Sequence, residues 1–176
     1  GKSTFFLHLN GLLKPQKGRV LIDEEAIDYS RKGLLNVRKK VGFVFQNPDD
    51  QLFSASVKQE ISFGVLNLGM SEKEAERRVE DIMRELNITP FADKPTHFLS
   101  GGQKKRVAIA DIVVMAPSLM ILDEPAAALD PRHSRIINEI IDKLSDKGIT
   151  VLLSTHDAER SLILGVRVIV FHVGIM

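Results

Sequence analysis

The sequence predicts an α/β fold with a mostly parallel sheet and a mostly helical segment inserted between two of its strands. Three short apolar runs, at residues 41–45, 119–122 and 149–153, have the length and composition of buried strands. Amphipathic helical stretches separate these runs. Strands that alternate with helices are typical of a parallel sheet.

The elements before the first of these strands are a helix and a short strand. Apolar side chains at helical spacing predict a helix over residues 3–13 with one buried face, formed by Phe5, Phe6, Leu9, Leu12 and Leu13. The Lys-Pro-Gln-Lys-Gly run at 14–18 ends this helix with a turn. Residues 19–22 then have the pattern of a short strand.

The middle of the chain is predicted to form a helical subdomain over residues 47–116. Ser71 and Glu74 form a capping-box pattern, which predicts a charged amphipathic helix that ends near residue 86. A helix at 56–65 is predicted before it, and another from Ser100 to about residue 115.

Side chains near the start of this last helix are assigned structural roles. Lys104, Lys105 and Arg106 are expected on a solvated helix face. His97 and Phe98 are expected to pack in the interior.

The α/β pattern returns over residues 117–176, which are predicted to form one core with residues 1–46. A helix is predicted over 131–144, between the second and third strands. A short helix after His156 and a strand at 166–171 complete the predicted elements.

Composition and charge exclude several functional classes. The 176 residues carry 24 basic and 23 acidic side chains, and the net charge of +1 gives no field that attracts nucleic acid. The sequence has no cysteine, which excludes disulfides, thiol catalysis and cysteine-ligated zinc. No apolar run approaches the roughly 18–20 residues that span a bilayer, so we expect membrane association only through a partner.

The first chemical motif is Gly1-Lys2-Ser3-Thr4, directly before a helix. In a phosphate-binding loop, backbone N–H groups at a helix start hold phosphate oxygens, a lysine reaches the β- and γ-phosphates, and a hydroxyl holds Mg²⁺. Only the last part of such a loop is in the sequence. Taken alone, the motif is better explained as a small polar N-terminus.

The second motif is a pair of carboxylates, Asp123 and Glu124, directly after the strand at 119–122. Ligands of open α/β sheets bind at the carboxyl ends of the strands. Asp123 suits a role at Mg²⁺, and Glu124 suits the polarisation of an attacking water. The alternative is a buried strand that ends in a solvated acidic turn.

The third motif is Ser100-Gly101-Gly102-Gln103 at the start of a helix. Two glycines let the backbone approach a ligand closely, and the positive end of the helix favours an anion. The motif therefore predicts a second anion-binding cradle. The alternative, a simple N-cap with a glycine turn, does not account for Gln103.

These motifs carry a family resemblance. Leu-Ser-Gly-Gly-Gln at 99–103 resembles the signature motif of ABC ATPases. The other motifs follow in the family's order: Gln46 is similar to its Q-loop, Asp123-Glu124 to its Walker B pair, 126–130 to its D-loop with alanine where serine or threonine is common, and 154–157 to its switch-histidine loop.

The resemblance implies a P-loop nucleotide-hydrolase fold and an ATPase in which two copies pack head to tail with ATP between them. It implies ATP and Mg²⁺ as cofactors. The residues that it places around ATP are Gly1, Lys2, Ser3, Thr4, Gln46, Ser100, Gly101, Gly102, Gln103 and Asp130. It assigns Mg²⁺ to Ser3, Gln46 and Asp123, and catalysis to Glu124 and His156.

The same resemblance implies partners and a location. An ATPase of this kind is a peripheral subunit at the cytoplasmic face of the cell membrane, bound to a transmembrane transporter subunit. A second ATPase copy, identical or paralogous, completes the ATP sites, and a separate component captures the substrate. No nucleic acid is expected as a partner.

A narrower resemblance surrounds Gln46. Residues 41–53 (Val-Gly-Phe-Val-Phe-Gln-Asn-Pro-Asp-Asp-Gln-Leu-Phe) and 63–69 (Phe-Gly-Val-Leu-Asn-Leu-Gly) resemble ATPases of cobalt/nickel importers and of energy-coupling-factor importers for vitamins. This resemblance implies an importer, with cobalt as the first choice of cargo and a vitamin as the alternative. It implies that coupling helices of the membrane partner dock after Gln46 and on the helical subdomain.

Two other classes stay open. ABC-fold ATPases that act on DNA or ribosomes usually carry long coiled-coil insertions or a second ATPase domain, and this sequence shows neither. A fragment that keeps the fold but binds ATP poorly is the other class. The strands that the family places before its phosphate loop are missing from the sequence, so we expect a sheet without them.

Overall fold

The computed structural model describes residues 1–155. In chain order the elements of that part are α1 (Lys2–Leu9), β1 (Leu21–Ile22), β2 (Glu25–Ala26), α2 (Arg31–Lys40), β3 (Val41–Val44), α3 (Val57–Asn67), α4 (Glu72–Glu85), α5 (Gly101–Val113), β4 (Leu119–Leu122), α6 (Pro131–Asp146) and β5 (Thr150–Leu153). Short 3₁₀ turns at Pro48–Asp50, Thr89–Phe91 and Thr96–Phe98 lie between β3 and α5. The predicted helix after His156 and strand at 166–171 lie outside the described residues.

Strands β3, β4 and β5 form a parallel sheet in that order, which confirms the predicted α/β class. Val44 pairs with Leu122, and Leu122 pairs with Leu153, so the three strands end together. Backbone bonds from Asp123 N to Val44 O (3.1 Å) and from Ser154 N to Leu122 O (3.0 Å) continue the ladder by one residue. The residues after all three strands therefore share one edge of the sheet, where ligands of such sheets bind.

Helices cover both faces of this sheet because its strands are apolar on both sides. On one face, Val44 and Leu122 join helices α3 to α6 in one buried cluster. On the other face, Phe43 and Ile121 pack with Phe6 of α1. The cluster that contains Val44 and Leu122 includes residues of both the helical segment and the sheet. The division into a helical subdomain at 47–116 and an α/β core therefore stays a prediction.

Side-chain caps fix where two helices of this arrangement begin. Ser71 Oγ accepts a hydrogen bond from Glu74 N (3.4 Å) at the start of α4, as the sequence predicted. Asp130 caps α6 by accepting bonds from two backbone N–H groups, and Pro131 occupies the first helical position. Both caps satisfy N–H groups that have no partner within the helix. None of the helices described between residues 1 and 155 is long and apolar enough to cross a bilayer.

The first helix is shorter than predicted. It ends at Leu9, because Gly11 adopts a φ of 75°, a left-handed conformation typical of the residue after a helix. Leu12 and Leu13, which were expected on the buried face, are 47% and 38% exposed.

The strand predicted at 19–22 belongs to a hairpin and not to the parallel sheet. β1 pairs antiparallel with β2 across Asp23 and Glu24, whose φ angles of 50° and 65° suit a two-residue turn. Helix α2 was not predicted, although Ser30 caps it by accepting a bond from Gly33 N (3.1 Å).

The expectation that His97 and Phe98 pack in the interior was wrong. Both are exposed, Phe98 to 74%. They belong to a single 3₁₀ turn whose buried member is Thr96, with its hydroxyl donating to Ser54 O (3.1 Å). A turn of three residues can direct only part of its surface inward, and here that part is the threonine.

Candidate nucleotide-binding site

Two motifs from opposite ends of the described chain meet where the strands end. Lys2 Nζ lies 3.1 Å from Glu124 Oε1 and donates to Thr155 O at 3.0 Å. Lys2 is the first residue of α1, Glu124 follows β4, and Thr155 follows β5. One ammonium therefore links the start of a helix to the ends of two parallel strands.

Helix α1 is anchored to the sheet by its aromatic face. Phe6 is 3% exposed, and its ring meets Phe43 of β3 edge-on with 6.5 Å between centroids. Gly1 caps the helix, and Ser3 and Thr4 are exposed in its first turn. The first N–H groups and the positive end of α1 thus lie at the strand ends, a favourable position for a phosphate.

A buried serine orders the two carboxylates after β4. Ser154 is 3% exposed, and its hydroxyl donates to Asp123 Oδ1 (2.5 Å) while accepting from Glu124 N (3.0 Å). Glu124 has a φ of 47°, the left-handed region that costs a non-glycine residue about 1–3 kcal/mol. The backbone turn at Glu124 is therefore held by its neighbours and directs the side chain toward Lys2.

The residues at this edge fit a magnesium ion. Asp123 is 5% exposed and supplies carboxylate oxygen, and Ser3 supplies an exposed hydroxyl from the adjoining helix start. Gln46 follows β3 at the same edge. Mg²⁺ takes hard oxygen ligands and usually shares them with substrate phosphates and water. Such a set suits a metal held jointly by protein and phosphate.

Gln46 is joined to the carboxylate turn by a lysine that the sequence analysis had placed in solvent. Lys105 Nζ donates to the Gln46 carbonyl and lies 3.5 Å from the carbonyl of Glu124. Lys105 is only 3% exposed, so the expected solvated position was wrong for this residue. The cause is the packing of α5 against β3, which turns this side of the helix toward the strand ends.

The neighbours of Lys105 also make specific contacts. Lys104 Nζ lies 2.5 Å from Asp49 Oδ1 in the turn after Gln46. Arg106 donates to Asn87 O (2.9 Å), and its guanidinium lies 5.3 Å from the centre of the Phe91 ring. Burial lowers the pKa of Arg106. The basic run is therefore part of the packing of α5 and not a uniformly solvated face.

Ser100 and Gln103 form a complete capping box at the start of α5. Ser100 N donates to Gln103 Oε1 (2.9 Å), and Gln103 N donates to Ser100 Oγ (3.4 Å). Helix capping therefore does account for Gln103, contrary to the expectation. Among the described residues, the hydrogen bonds of these two side chains stay within the box.

Gly102 connects the signature segment to the start of α6. A Cβ atom at Gly102 would lie 2.2 Å from Cδ2 of His133, so this position admits only glycine without rearrangement. His133 Nδ1 lies 2.5 Å from Asp130 Oδ2, and this hydrogen bond lowers the pKa of Asp130. His133 belongs to no motif that the sequence analysis recognised, and its spacing from Asp130 was the available signal.

The predicted site residues thus fall into two groups. Lys2, Gln46, Asp123 and Glu124 are brought together at the ends of the strands, directly or through Lys105 and Ser154. The signature segment instead lies next to α6 at Gly102 and next to Leu129 of the D-loop at Gly101. His156 lies outside the described residues.

Comparison with known proteins places the chain in a family. The family model described as ABC transporter matches residues 1–127. An energy-coupling factor transporter ATP-binding protein, EcfA of Methanococcus maripaludis, is 53% identical over 159 residues. The match covers 90% of this chain and 57% of that relative, so the chain spans little more than half of the relative's length. The chain belongs to the ABC transporter ATP-binding family.

Solved structures agree with this assignment. cbiO1 of Clostridium perfringens, described as part of the ABC transporter complex cbiONQ, matches with a TM-score of 0.80 and 51% identity over 89% of this chain and 63% of that one. The ATP-binding cassette MJ0796, a dimer in a post-hydrolysis state bound to ADP and Pi, matches with a TM-score of 0.80 and 31% identity over 90% of this chain and 71% of that one. Within the family, the chain is thus similar to both EcfA and cbiO proteins.

Proposed function

We propose that this chain binds and hydrolyses ATP as the motor subunit of an ABC importer. The observation that carries the proposal is the meeting of Lys2 and Glu124 at the ends of the parallel strands. A phosphate-binding lysine and a carboxylate able to orient water must act on the same phosphoryl group, and this contact puts them within reach of one another.

The proposed roles follow from the chemistry of each group. The N–H groups at Gly1 to Thr4 and the Lys2 ammonium bind the phosphates, and Ser3, Gln46 and Asp123 hold Mg²⁺, which neutralises phosphate charge. Glu124 orients the attacking water and takes its proton. His156 acts near the γ-phosphate, by resemblance to the family.

A second copy of the ATPase is proposed to complete each site. Ser100 and Gly101 are exposed at the start of a 13-residue helix, with a positive end that attracts anions. In the head-to-tail arrangement, Ser100 to Gln103 of one copy face the ATP held by Lys2 of the other, and Asp130 lies beside the same nucleotide. The dimeric MJ0796 structure, which holds ADP and Pi, supports this arrangement by similarity.

A membrane partner is proposed to dock on an aromatic patch formed by Phe53, Phe63 and Leu66. These side chains are 68%, 50% and 43% exposed, and the two phenylalanine rings meet edge-on with 5.1 Å between centroids. An exposed cluster of this kind is typical of a protein interface. Phe53 follows the Gln46 segment in the chain, so a partner held here would lie next to the ATP site.

Cobalt is the cargo that we propose, by the resemblance of residues 41–53, and a vitamin is the alternative. The chain is similar both to cbiO1 and to an energy-coupling factor transporter ATP-binding protein, and these similarities support the two cargoes equally. In both cases a peripheral position at the cytoplasmic face and a separate substrate-capture component are proposed. Uptake assays with labelled cobalt and labelled vitamins, on the assembled transporter, would separate the two.

The proposed activity is tested by Glu124→Gln in the full-length protein. The variant should still bind ATP, while its hydrolysis rate falls by roughly 100-fold or more, because the group that takes the proton from water is lost. Glu139→Gln, at an exposed position of α6, is the matched control and should hydrolyse ATP normally. Unchanged hydrolysis in Glu124→Gln would remove this residue from the mechanism.

The proposed docking patch is tested by Phe63→Ser, measured as retention of the membrane subunit on the purified ATPase. Leu35→Ser removes a side chain of α2 that is 47% exposed and lies outside the patch. We expect the first variant to lose the membrane subunit and the second to keep it. Equal retention in both would show that the patch is not the docking surface.

A further inference from the structure

The side chain of Lys105 crosses from α5 to two backbone carbonyls at the ATP site. Its Nζ donates to the carbonyl of Gln46 and lies 3.5 Å from the carbonyl of Glu124. These acceptors are 59 and 19 positions away in the chain, and each belongs to a residue with a proposed role at the nucleotide. No motif in the sequence assigns a function to this lysine.

A lysine with 3% of its surface exposed requires a specific reason to stay in place. Burial lowers the pKa of Lys105, while the negative charges of Asp123 and Glu124 act in the opposite direction and favour the ammonium. The two carbonyls provide acceptors for two of its three N–H donors. Residues of the proposed ATP site therefore stabilise the buried ammonium, because they provide both its carbonyl acceptors and the nearby negative charges.

Two further contacts tie the segment after Gln46 to the same helix. Lys104 Nζ lies 2.5 Å from Asp49 Oδ1, and Gln51 Nε2 donates to Ala108 O (2.8 Å) and to Asp111 Oδ2 (3.0 Å). The segment from Gln46 to Gln51 is thus fastened to α5 at three places. Lys105 differs from the other two because it also reaches the turn at Glu124.

We propose that Lys105 is a positioning residue that sets the backbones of Gln46 and Glu124 relative to one another and links both to the helix that begins with the signature motif. This inference rests on the proposed ATPase activity. A movement of α5 would then shift the magnesium-binding and water-orienting residues together. Lys105 acts through its contacts with these two backbones.

The test compares Lys105→Met and Lys105→Gln with Lys147→Met in the full-length protein. Lys147 pairs with Glu85 at 2.5 Å on the surface and makes no contact with the Gln46 segment, so it controls for the loss of a lysine. Thermal unfolding first establishes which variants fold. Methionine keeps the length of the chain without a donor, and glutamine supplies a polar variant should the methionine protein fail to fold.

Two readouts decide the outcome. In each folded Lys105 variant, kcat for ATP should fall at least tenfold while KM changes less than threefold, and amide hydrogen exchange should rise at residues 46, 47, 124, 126 and 127. Lys147→Met should change neither readout. A folded Lys105 variant with wild-type kcat, or with increased exchange confined to α5, would overturn the inference.

The same experiment separates this inference from the proposed function. A wild-type protein that does not hydrolyse ATP would remove the proposed activity. The exchange measurement would still decide whether Lys105 holds the two backbones. Unchanged amide exchange at residues 46, 47, 124, 126 and 127 would count against the inference whatever the hydrolysis rate.

Discussion

Lys2 Nζ lies 3.1 Å from Glu124 Oε1, a contact between residues 122 positions apart. The two side chains are only 25% and 11% exposed, so the pair is largely shielded from solvent. Shielded pairs are screened less by water and salt than surface pairs. The contact therefore couples the start of α1 to the end of β4 more strongly than a surface ion pair could.

A double-mutant cycle with Lys2→Ala and Glu124→Gln should reveal this coupling. We expect an interaction free energy of about 1–3 kcal/mol from chemical denaturation, because the residues share one partly buried contact. The cycle with Lys40→Ala and Asp23→Asn is the control, since that pair has a similar N–O distance of 2.9 Å but lies in solvent. It should give no measurable coupling, and equal values in both cycles would contradict the argument.

Ser154→Ala should weaken the carboxylate turn. The substitution leaves the buried Glu124 N–H without its acceptor and removes the hydroxyl that donates to Asp123. Loss of one partner in a buried hydrogen bond costs about 1–3 kcal/mol in the free energy of unfolding. Ser145→Ala, at an exposed position near the end of α6, should change stability by less than about 0.5 kcal/mol. A Ser154 variant as stable as the control would show that this hydroxyl is dispensable.

The strands of the parallel sheet were predictable because each forms a short, mostly apolar run, as expected for strands with helices on both faces. Strands β3 and β4 are almost fully buried, and β5 is partly buried. The hairpin was not predicted as such, since its strands have two residues each and depend on the left-handed conformations of Asp23 and Glu24. No hydrophobic period exists over two residues. Short elements of this kind are defined by backbone conformation and by the packing around them.

The candidate site was predictable where it depends on topology and not where it depends on the rotation of a helix. The carboxyl ends of parallel strands share an edge with the phosphate-binding motif, so the proximity of Glu124 to the start of α1 followed from the order of the motifs. The burial of Lys105 did not follow. Residues 107–110 of α5 are four consecutive apolar residues, and all of them are buried. A run that is apolar on every side of the helix does not indicate which side faces the strand ends.

Gly102→Ala should destabilise the contact between the signature segment and α6. The new Cβ would lie 2.2 Å from Cδ2 of His133, and relief of such a clash typically costs about 1–3 kcal/mol in the free energy of unfolding. Removal of the ring by His133→Ala in the same chain should restore much of this loss, because the two nearest atoms, Cδ2 and Cγ, are gone and only Cβ at 3.0 Å stays.

Gly101→Ala is the matched control for this steric argument. A Cβ there meets only Leu129 Cδ2 at 3.9 Å, an ordinary contact, so we expect a change below about 0.5 kcal/mol. Differential scanning calorimetry of the three variants provides the comparison. A His133 substitution that fails to improve the Gly102 variant would show that the cost has another origin.

Asp111 has an altered acidity that predicts a pH dependence of stability. Burial raises its pKa to about 7, and the negative charge of Glu60 acts in the same direction, while the hydrogen bond from Gln51 opposes them. The folded chain therefore binds a proton at Asp111 more tightly than the unfolded chain does. The free energy of unfolding should fall as pH rises from about 4 to about 7, and this contribution should be constant above that range.

Asp111→Asn should remove this part of the pH dependence. Asparagine keeps an oxygen that accepts from Gln51 but carries no charge, so the variant should be more stable than the wild type by about 1–3 kcal/mol at pH 8 and nearly equal to it at pH 4. Denaturant unfolding at several pH values measures the difference. Asp142→Asn, at an exposed position of α6, is the control and should follow the wild-type profile. If Asp111→Asn also follows the wild-type profile, Asp111 titrates normally. The charged carboxylate would then be buried between α5 and the Gln46 segment without a loss in the free energy of unfolding.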